Sequence, residues 1–400
     1  MRLLFNELKK LFNPLLVLIL LLFTAAYSVV ILYIIQDIIL DSADYYLPFE
    51  RELISEFGAE ISLDEWDAFS QKRDGLLEKL NAHIRQSDVF AKYGIETYVD
   101  LQTKQKEYSE HSAYADAENE LWRENSRLYT EASEYEKLVF DYQEIDNYIY
   151  AKDHNLILAD ESDYDAMIAE NPAGSPEYAY IDAREKEIAT RDYVSVHIPR
   201  TYDIFFEDAF RLFILEAIWC IVLILPYVMK ERICNVRSMQ LATRTGRGIF
   251  GVQAVACALG GAIIGMLLNA VYAALLLIRG YFAFFPCDMN RSELLWIDIS
   301  FGNYLLIHAA AVILLSVCAS LATYFIGRLA RSYIAGLGLA LLVAAALVWG
   351  FVSFFRYPLD MRSPSLAAAV IKPCITLLIF AAISAAVFIM LKRDKVRDIL

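Results

Sequence analysis

Six apolar segments limit what this chain can fold into. They span roughly residues 14–36, 209–229, 252–278, 303–327, 333–355 and 370–391. A helix needs about 20 apolar residues to cross the hydrocarbon core of a bilayer. In lipid, each backbone polar group must be paired within its own segment, so such segments are helices. The sequence therefore predicts an all-α integral membrane protein with six transmembrane helices, the first at 14–36, the second at 209–229 and the others within 252–391.

Charge is concentrated between the first and second apolar segments. Residues 37–208 have a net charge of −25, whereas the whole chain has −14, so the remaining residues carry +11. None of the six cysteines lies in this acidic region, which excludes a disulfide framework there. We predict a separate acidic domain that folds by packing alone.

The distribution of Lys and Arg predicts the orientation of the chain. Basic residues are in excess in residues 1–12, in the 230–250 connection, at Arg328 and Arg331, and in the 392–400 tail. Connections rich in Lys and Arg remain in the cytoplasm. We therefore expect a multi-pass plasma membrane protein with both termini cytoplasmic and residues 37–208 extracellular.

The N-terminal 12 residues form an amphipathic pattern before the first span. Their apolar positions recur at helical spacing, with Lys9 and Lys10 between them. This pattern predicts a cytoplasmic interfacial helix, although a charged flank that only orients the protein is the alternative. The apolar run that follows Asn13 and Pro14 is too long for a signal-peptide core, so we expect an uncleaved anchor.

The acidic domain has helical periodicity. One set of apolar residues recurs every seven positions, and a second set lies on one face of an earlier stretch. The first set is Leu121, Leu128, Tyr135, Tyr142 and Ile149, and the second is Trp66, Phe69, Leu76, Leu77, Leu80 and Ile84. We predict an extracellular helical hairpin with little sheet, with Ser62 and Ser87 as helix N-caps and Gly94 as a break. Residues 177–191 predict a short helix, followed by an extended return.

Signals of catalysis are absent from the sequence. There is no Gly-Lys pair, so this chain has no P-loop for ATP, and the five histidines show no metal-ligand spacing. We expect no enzyme activity, no cofactor, no metal and no nucleic-acid partner for this chain.

The 230–250 connection is longer than a simple reversal requires. It is basic, and its apolar positions predict a short helix in which Ile233 and Met239 share a face. The connection either docks on a partner or only orients the chain. Its candidate residues are Glu231, Arg232, Ile233, Arg237, Met239, Arg244 and Arg247.

This connection carries a family resemblance. Glu231-Arg232, a helix, and then the segment from Leu241 to Arg247 resemble the coupling loop of ABC-2 type transporter permeases, in particular Firmicute members with a large outer domain. The match includes the leader from Asn6 to Lys10 and the six-span layout, and it departs from the family at Cys234 and Asn235. The resemblance implies a permease subunit of an ATP-driven exporter. It also implies a separate ABC ATPase that binds ATP, a second permease copy or paralogue, and membrane lipids as partners.

Polar residues within apolar segments are functional candidates by default. They are Glu216, Asn269, Arg279 and His308. They either line a substrate path or form a structural pair between helices. The competing function is a receptor or envelope scaffold that does not transport and uses the extracellular domain.

Overall fold

The computed structural model of the chain describes residues 2–39, 43–109, 114–131, 134–153, 176–196, 201–234, 244–289, 298–355, 378–379, 381–390 and 392. The chain divides into two compact units. We call Met1–Asp41, Arg200–Met289 and Glu293–Leu400 the apolar unit, and Ser42–Pro199 with Asn290–Ser292 the acidic unit.

Most of the described residues are helical. The helices are α1 (Arg2–Leu11), α2 (Pro14–Ile39), α3 (Ala43–Phe57), α4 (Trp66–Ile84), α5 (Asp88–Lys92), α6 (Tyr98–Ser109), α7 (Ala115–Glu131), α8 (Tyr135–Asp153), α9 (Pro176–Ala189), α10 (Thr201–Ile233), α11 (Arg244–Ile278), α12 (Phe301–Leu329) and α13 (Tyr333–Phe355). Two short strands, β1 (Glu60–Ser62) and β2 (Tyr193–Ser195), complete the named elements apart from two single-turn 3-10 segments.

Among the described residues, three helices of the apolar unit are long and apolar enough to cross a membrane. They contain Phe210–Glu231, Ile249–Ile278 and Phe301–Leu329. A bent pair, Arg2–Leu11 with Pro14–Tyr27, raises the number to four if it forms one span, and Tyr333–Trp349 and Ala381–Met390 are shorter apolar helices. The structure is therefore that of a helical membrane protein. Residues 370–377 of the predicted sixth span, 370–391, lie outside the described residues, and Ala381–Met390 is its described helical part.

Helices α10, α11 and α12 form the core of the apolar unit. Their buried side chains include Trp219 and Leu223 on α10, Cys257 and Ile264 on α11, and Leu315 on α12. Helix α2 joins this core, since the indole Nε1 of Trp219 donates to Thr24 Oγ1 at 2.9 Å. A proline, Pro226, lies inside α10.

The chain bends by 52° between α1 and α2. Pro14 opens α2, where its missing N–H costs no hydrogen bond, and the Oδ1 of Asn13 accepts from Leu15 N at 3.0 Å. The break after residue 12 that the sequence predicts is thus present. Helix α1 is not a free surface helix, because its Glu7 and Leu11 are buried.

The acidic unit packs α4 against α8, α6 against α7, and α5 against α7. Its core contains the fully buried rings of Phe69 on α4, Phe90 on α5, and Tyr135 and Tyr148 on α8. This unit has more elements than the two-helix hairpin that we expected. One reason is Gly94, whose φ of 67° breaks the chain after α5 as predicted.

The seven-residue repeat is buried but does not lie on a single helix. All five of its members, from Leu121 to Ile149, are buried. However, α7 ends at Glu131 and α8 begins at Tyr135, so the repeat is divided between two helices. The Ser87 side chain caps α5 by accepting from Phe90 N, as expected.

A two-stranded antiparallel sheet closes the acidic unit. Strand β1 pairs with β2 so that Ile61 faces Val194, and both side chains are fully buried. Just after β1, the Glu65 carboxylate accepts from the backbone N and the Oγ of Ser62 at 3.1 and 2.8 Å. These contacts fix the turn into α4, where Ser62 was expected as a cap.

Candidate functional site

The end of the apolar unit at which α10 finishes and α11 begins is the candidate site, and we call it the loop end. Helix α10 continues to Ile233 and α11 already begins at Arg244, so helices occupy both flanks of the predicted 230–250 connection. Gln253 Nε2 of α11 donates to Glu231 Oε1 of α10 at 2.7 Å. This hydrogen bond ties the two flanks together.

Helix α12 holds the start of α11. The guanidinium of Arg328 lies over the Phe250 ring, 3.9 Å from its centroid, and the Tyr324 hydroxyl donates to the Phe250 carbonyl at 2.9 Å. Arg328 and Phe250 are both buried. A cation over an aromatic face is worth more when it is shielded from water, so this contact fixes the first turns of α11.

Helix α1 is attached to the same end of the unit. The Tyr227 hydroxyl of α10 donates to Glu7 Oε2 at 2.5 Å, and Lys10 Nζ lies 2.7 Å from Glu7 Oε1. A Cβ added to Gly260 of α11 would lie within 2.4 Å of Leu11 Cδ2, so Leu11 packs directly on the glycine backbone. Helix α1 therefore docks through two buried residues while Phe5 remains exposed.

Some of the predicted loop residues lie at the ends of α10 and α11, and others lie outside the described residues. Ile233 is 69% exposed at the last position of α10 rather than within a separate short helix. Arg232 belongs to α10, and Arg244 and Arg247 belong to the first turns of α11. Arg237 and Met239 lie outside the described residues, as does most of the predicted short helix.

Of the four intramembrane candidates, the structure brings two together. Glu216 is fully buried, and Asn269 Nδ2 donates to its Oε1 at 3.3 Å and to the Gly265 carbonyl at 2.8 Å. His308 packs on Tyr304, with ring centroids 4.4 Å apart, and Arg279 follows the last residue of α11. The polar pair that the structure forms between helices at these candidates is Glu216 with Asn269.

Next to Glu216, the three core helices meet at small residues. Ser316 Oγ donates to the Gly261 carbonyl at 2.9 Å, and Ser320 Oγ donates to Cys220 Sγ at 3.1 Å. A Cβ added to Gly261 would lie 2.2 Å from Ser320 Oγ. Close approach at glycine therefore brings these hydrogen bonds within range.

Several residues of the loop end were missed from the sequence. They are Glu7, Tyr227, Phe250, Gln253, Tyr324 and Arg328. Two of them could have been identified from the charge pattern. Glu7 is the only acidic residue in the basic N-terminal segment, and Arg328 immediately follows an apolar segment. The others are ordinary residues whose roles depend on helix packing.

No group of three or more His, Cys, Asp or Glu side chains is arranged to hold a metal among the described residues. The chain matches no known protein family, no curated protein and no solved structure in the comparisons made. At the loop end, contacts from α1, α11 and α12 hold the end of α10 and the start of α11.

Proposed function

We propose that this chain is the transmembrane permease subunit of an ATP-driven exporter of the ABC-2 type. In this proposal a separate ATPase subunit binds and hydrolyses ATP, and a second permease copy or paralogue completes the transporter in the plasma membrane. Both termini and the loop end face the cytoplasm, and residues 37–208 lie outside the cell. The sequence resemblance at Glu231-Arg232 and Leu241–Arg247 is the starting point.

The observation that carries the proposal is the exposed Ile233 on a fixed helix end. Ile233 lies one turn beyond Met229, just after the apolar run that ends at Glu231. Its apolar side chain is therefore exposed at the end of that run. The Glu231–Gln253 hydrogen bond and the Arg328–Phe250 contact hold the flanks. A connection that only orients the chain needs no such support, whereas a docking surface gains affinity when it is preorganised.

The test is purification of the full-length chain from its native membranes in a mild detergent. We expect a P-loop ATPase subunit to co-purify in a fixed ratio, and ATP hydrolysis to require that subunit. Ile233→Asp should weaken its binding about 30-fold, the effect of losing an anchor worth about 2 kcal/mol. Ile233→Leu, which keeps the apolar anchor, should retain it.

A matched control separates docking from orientation. Cys234→Asp places the same charge on the next exposed residue, and it should affect binding less than Ile233→Asp. If the connection only orients the chain, both variants behave alike and insert normally. A purified chain with no ATPase subunit, or one that hydrolyses ATP by itself, would contradict the proposal.

A further inference from the structure

Helix α12 carries a buried row of polar residues along its whole length. The row repeats every four residues: Tyr304, His308, Val312, Ser316, Ser320, Tyr324 and Arg328. Residues four apart lie one above another on a helix face, and every member of the row is buried. Only Val312 is apolar, so the row has a single gap.

Three members of the row donate hydrogen bonds to neighbouring helices. Ser316 and Tyr324 donate to backbone carbonyls of α11, and Ser320 donates to Cys220 of α10. Such bonds are ordinary contacts between helices in a membrane protein. They do not by themselves indicate a ligand.

Glu216 lies at the gap in the row. Cys220 contacts Ser316 and Ser320, and further along α10 Val228 approaches Gly327, so α10 and α12 run in the same direction. Glu216 is one turn before Cys220, which places it level with Val312. The side chain of α12 that interacts with its carboxyl group is Ser316.

The Glu216 carboxyl group is only half satisfied. Its Oε1 accepts from Asn269, but its Oε2 has no hydrogen-bond partner among the described residues. Ser316 does not supply one, because its hydrogen goes to the Gly261 carbonyl. One turn before Val312 in the row, the Nδ1 of His308 is also buried without a hydrogen bond in the described part of the chain.

No positive charge in the described structure is placed to neutralise Glu216. Its polar neighbours are Asn269 on α11, Ser316 on α12 and Cys220 on α10. Arg211, five residues earlier on α10, acts on Tyr27 of α2. An ionised carboxylate that is buried without a counter-charge costs several kcal/mol.

We propose that Glu216 is a proton-binding site inside the apolar unit. One proton adds to Oε2 and converts the carboxylate to a neutral acid, with no other bond made or broken. The new O–H donates towards Ser316 Oγ, which continues to donate to the Gly261 carbonyl. The full burial of Glu216 leaves no room for a larger ligand. This site does not depend on the ATPase subunit proposed above.

The experiment is infrared spectroscopy of the full-length chain in lipid nanodiscs at neutral pH. The spectrum of Glu216→Gln subtracted from that of the unmodified chain isolates one carboxyl group. We expect a deuterium-sensitive C=O band of a carboxylic acid. Glu7→Gln is the matched control, because Glu7 is equally buried but has Lys10 as its counter-charge, and this variant should keep the band.

Three outcomes would overturn the inference. Carboxylate bands in place of the acid band would show that Glu216 is ionised. Loss of the acid band on adding Na⁺ or K⁺ at constant pH would show a metal-cation site instead. If Glu216→Gln does not fold, Ser316→Ala tests the same hydrogen bond. Loss of its acceptor should shift the acid C=O band to higher frequency, and an unchanged band would contradict the proposal.

Discussion

In the acidic unit, core contacts lie between aromatic rings, whereas in the apolar unit two long helices cross at glycines. In the acidic unit, Phe69 meets Phe57 and Tyr148 edge to face, with centroids 5.5 and 5.8 Å apart. In the apolar unit, α11 and α12 meet at Gly261 and Gly265. Water drives large apolar groups into a core, but lipid is as apolar as the side chains, so helices there gain by close approach. The two units therefore differ in the residues at which their helices cross, although both also bury large rings.

Both units also bury a carboxyl group, and the surroundings differ. In the acidic unit the Tyr148 hydroxyl donates to both oxygens of Glu50, at 3.2 and 3.1 Å. Burial, followed by the nearby Glu144, raises the pKa of Glu50 well above its usual value. In the apolar unit, the donor to Glu216 is the side-chain amide of Asn269 rather than a tyrosine hydroxyl. Glu50 of the acidic unit and Glu216 of the apolar unit therefore differ in the group that donates to the buried carboxyl group.

The largest expected effect is loss of a ring from the acidic unit. Phe69→Ala should lower the free energy of unfolding of that unit by about 3–5 kcal/mol, because it removes a fully buried side chain and leaves a cavity. Hydrogen exchange of peptides from residues 43–153, measured on the full-length chain in denaturant, gives this value. Trp122→Ala is the control, since Trp122 is 67% exposed and should change stability by no more than about 0.5 kcal/mol. Equal losses in the two variants would refute the ring-packed core.

The next largest loss of stability is expected in the apolar unit, from a substitution that adds a single carbon atom at a close helix contact. Gly261→Ala places a Cβ against Ser320 Oγ and the Ser316 carbonyl, so we expect a loss of about 1–3 kcal/mol. Gly338→Ala on α13 meets nothing within 4 Å and should gain up to about 1 kcal/mol from the lower entropy of the unfolded chain. Unfolding in mixed detergent micelles compares the two. If Gly261→Ala left the free energy of unfolding unchanged, close approach of α11 and α12 at this glycine would not matter for stability.

The pH response of the acidic unit is the next prediction. Burial raises the pKa of Asp141 from 3.8 to about 6 and that of Glu144 from 4.5 to about 7. The folded unit therefore binds these protons at a higher pH than the unfolded chain does. Its stability should increase as the pH falls from 8 to 5 and decrease as the pH rises through 6 to 7. The slope is on the order of 1.4 kcal/mol per pH unit for each proton taken up.

Variants at single carboxyl groups test that response. Glu144→Gln should flatten the pH dependence between 6 and 8, whereas the exposed Glu78→Gln should leave it unchanged. Hydrogen exchange of α8 peptides at several pH values provides the measurement. If the stability of the unmodified acidic unit increased as the pH rises from 5 to 8, the prediction would be wrong.

Much of the fold follows from sequence periodicity. Periodicity predicts which side chains are buried better than it predicts where one helix ends and the next begins. The repeat from Leu121 to Ile149 correctly predicts which side chains are buried. It does not predict the break between Glu131 and Tyr135, because a spacing of seven residues continues unchanged across a short turn. Gly94 and Ser87 were predictable because backbone conformation and capping depend on local chemistry.

The candidate sites were less predictable than the fold. Glu216 and Asn269 stand out as polar residues in apolar runs, but their pairing depends on the register of α10 against α11. In the sequence, Glu7 is one polar residue of an amphipathic pattern, and its contact with Tyr227 is visible only in the structure. Tertiary contacts between distant segments decide these cases, and no local pattern encodes them.

Pro226 gives α10 a mechanical property that a continuous helix lacks. A proline nitrogen cannot donate to the carbonyl four residues earlier, so the backbone at Val222 loses a hydrogen bond that resists bending. The weak point lies between Glu216 and Ile233. Beyond Pro226, the direction of α10 therefore depends on the side-chain hydrogen bonds of Tyr227 and Glu231 rather than on an unbroken backbone ladder.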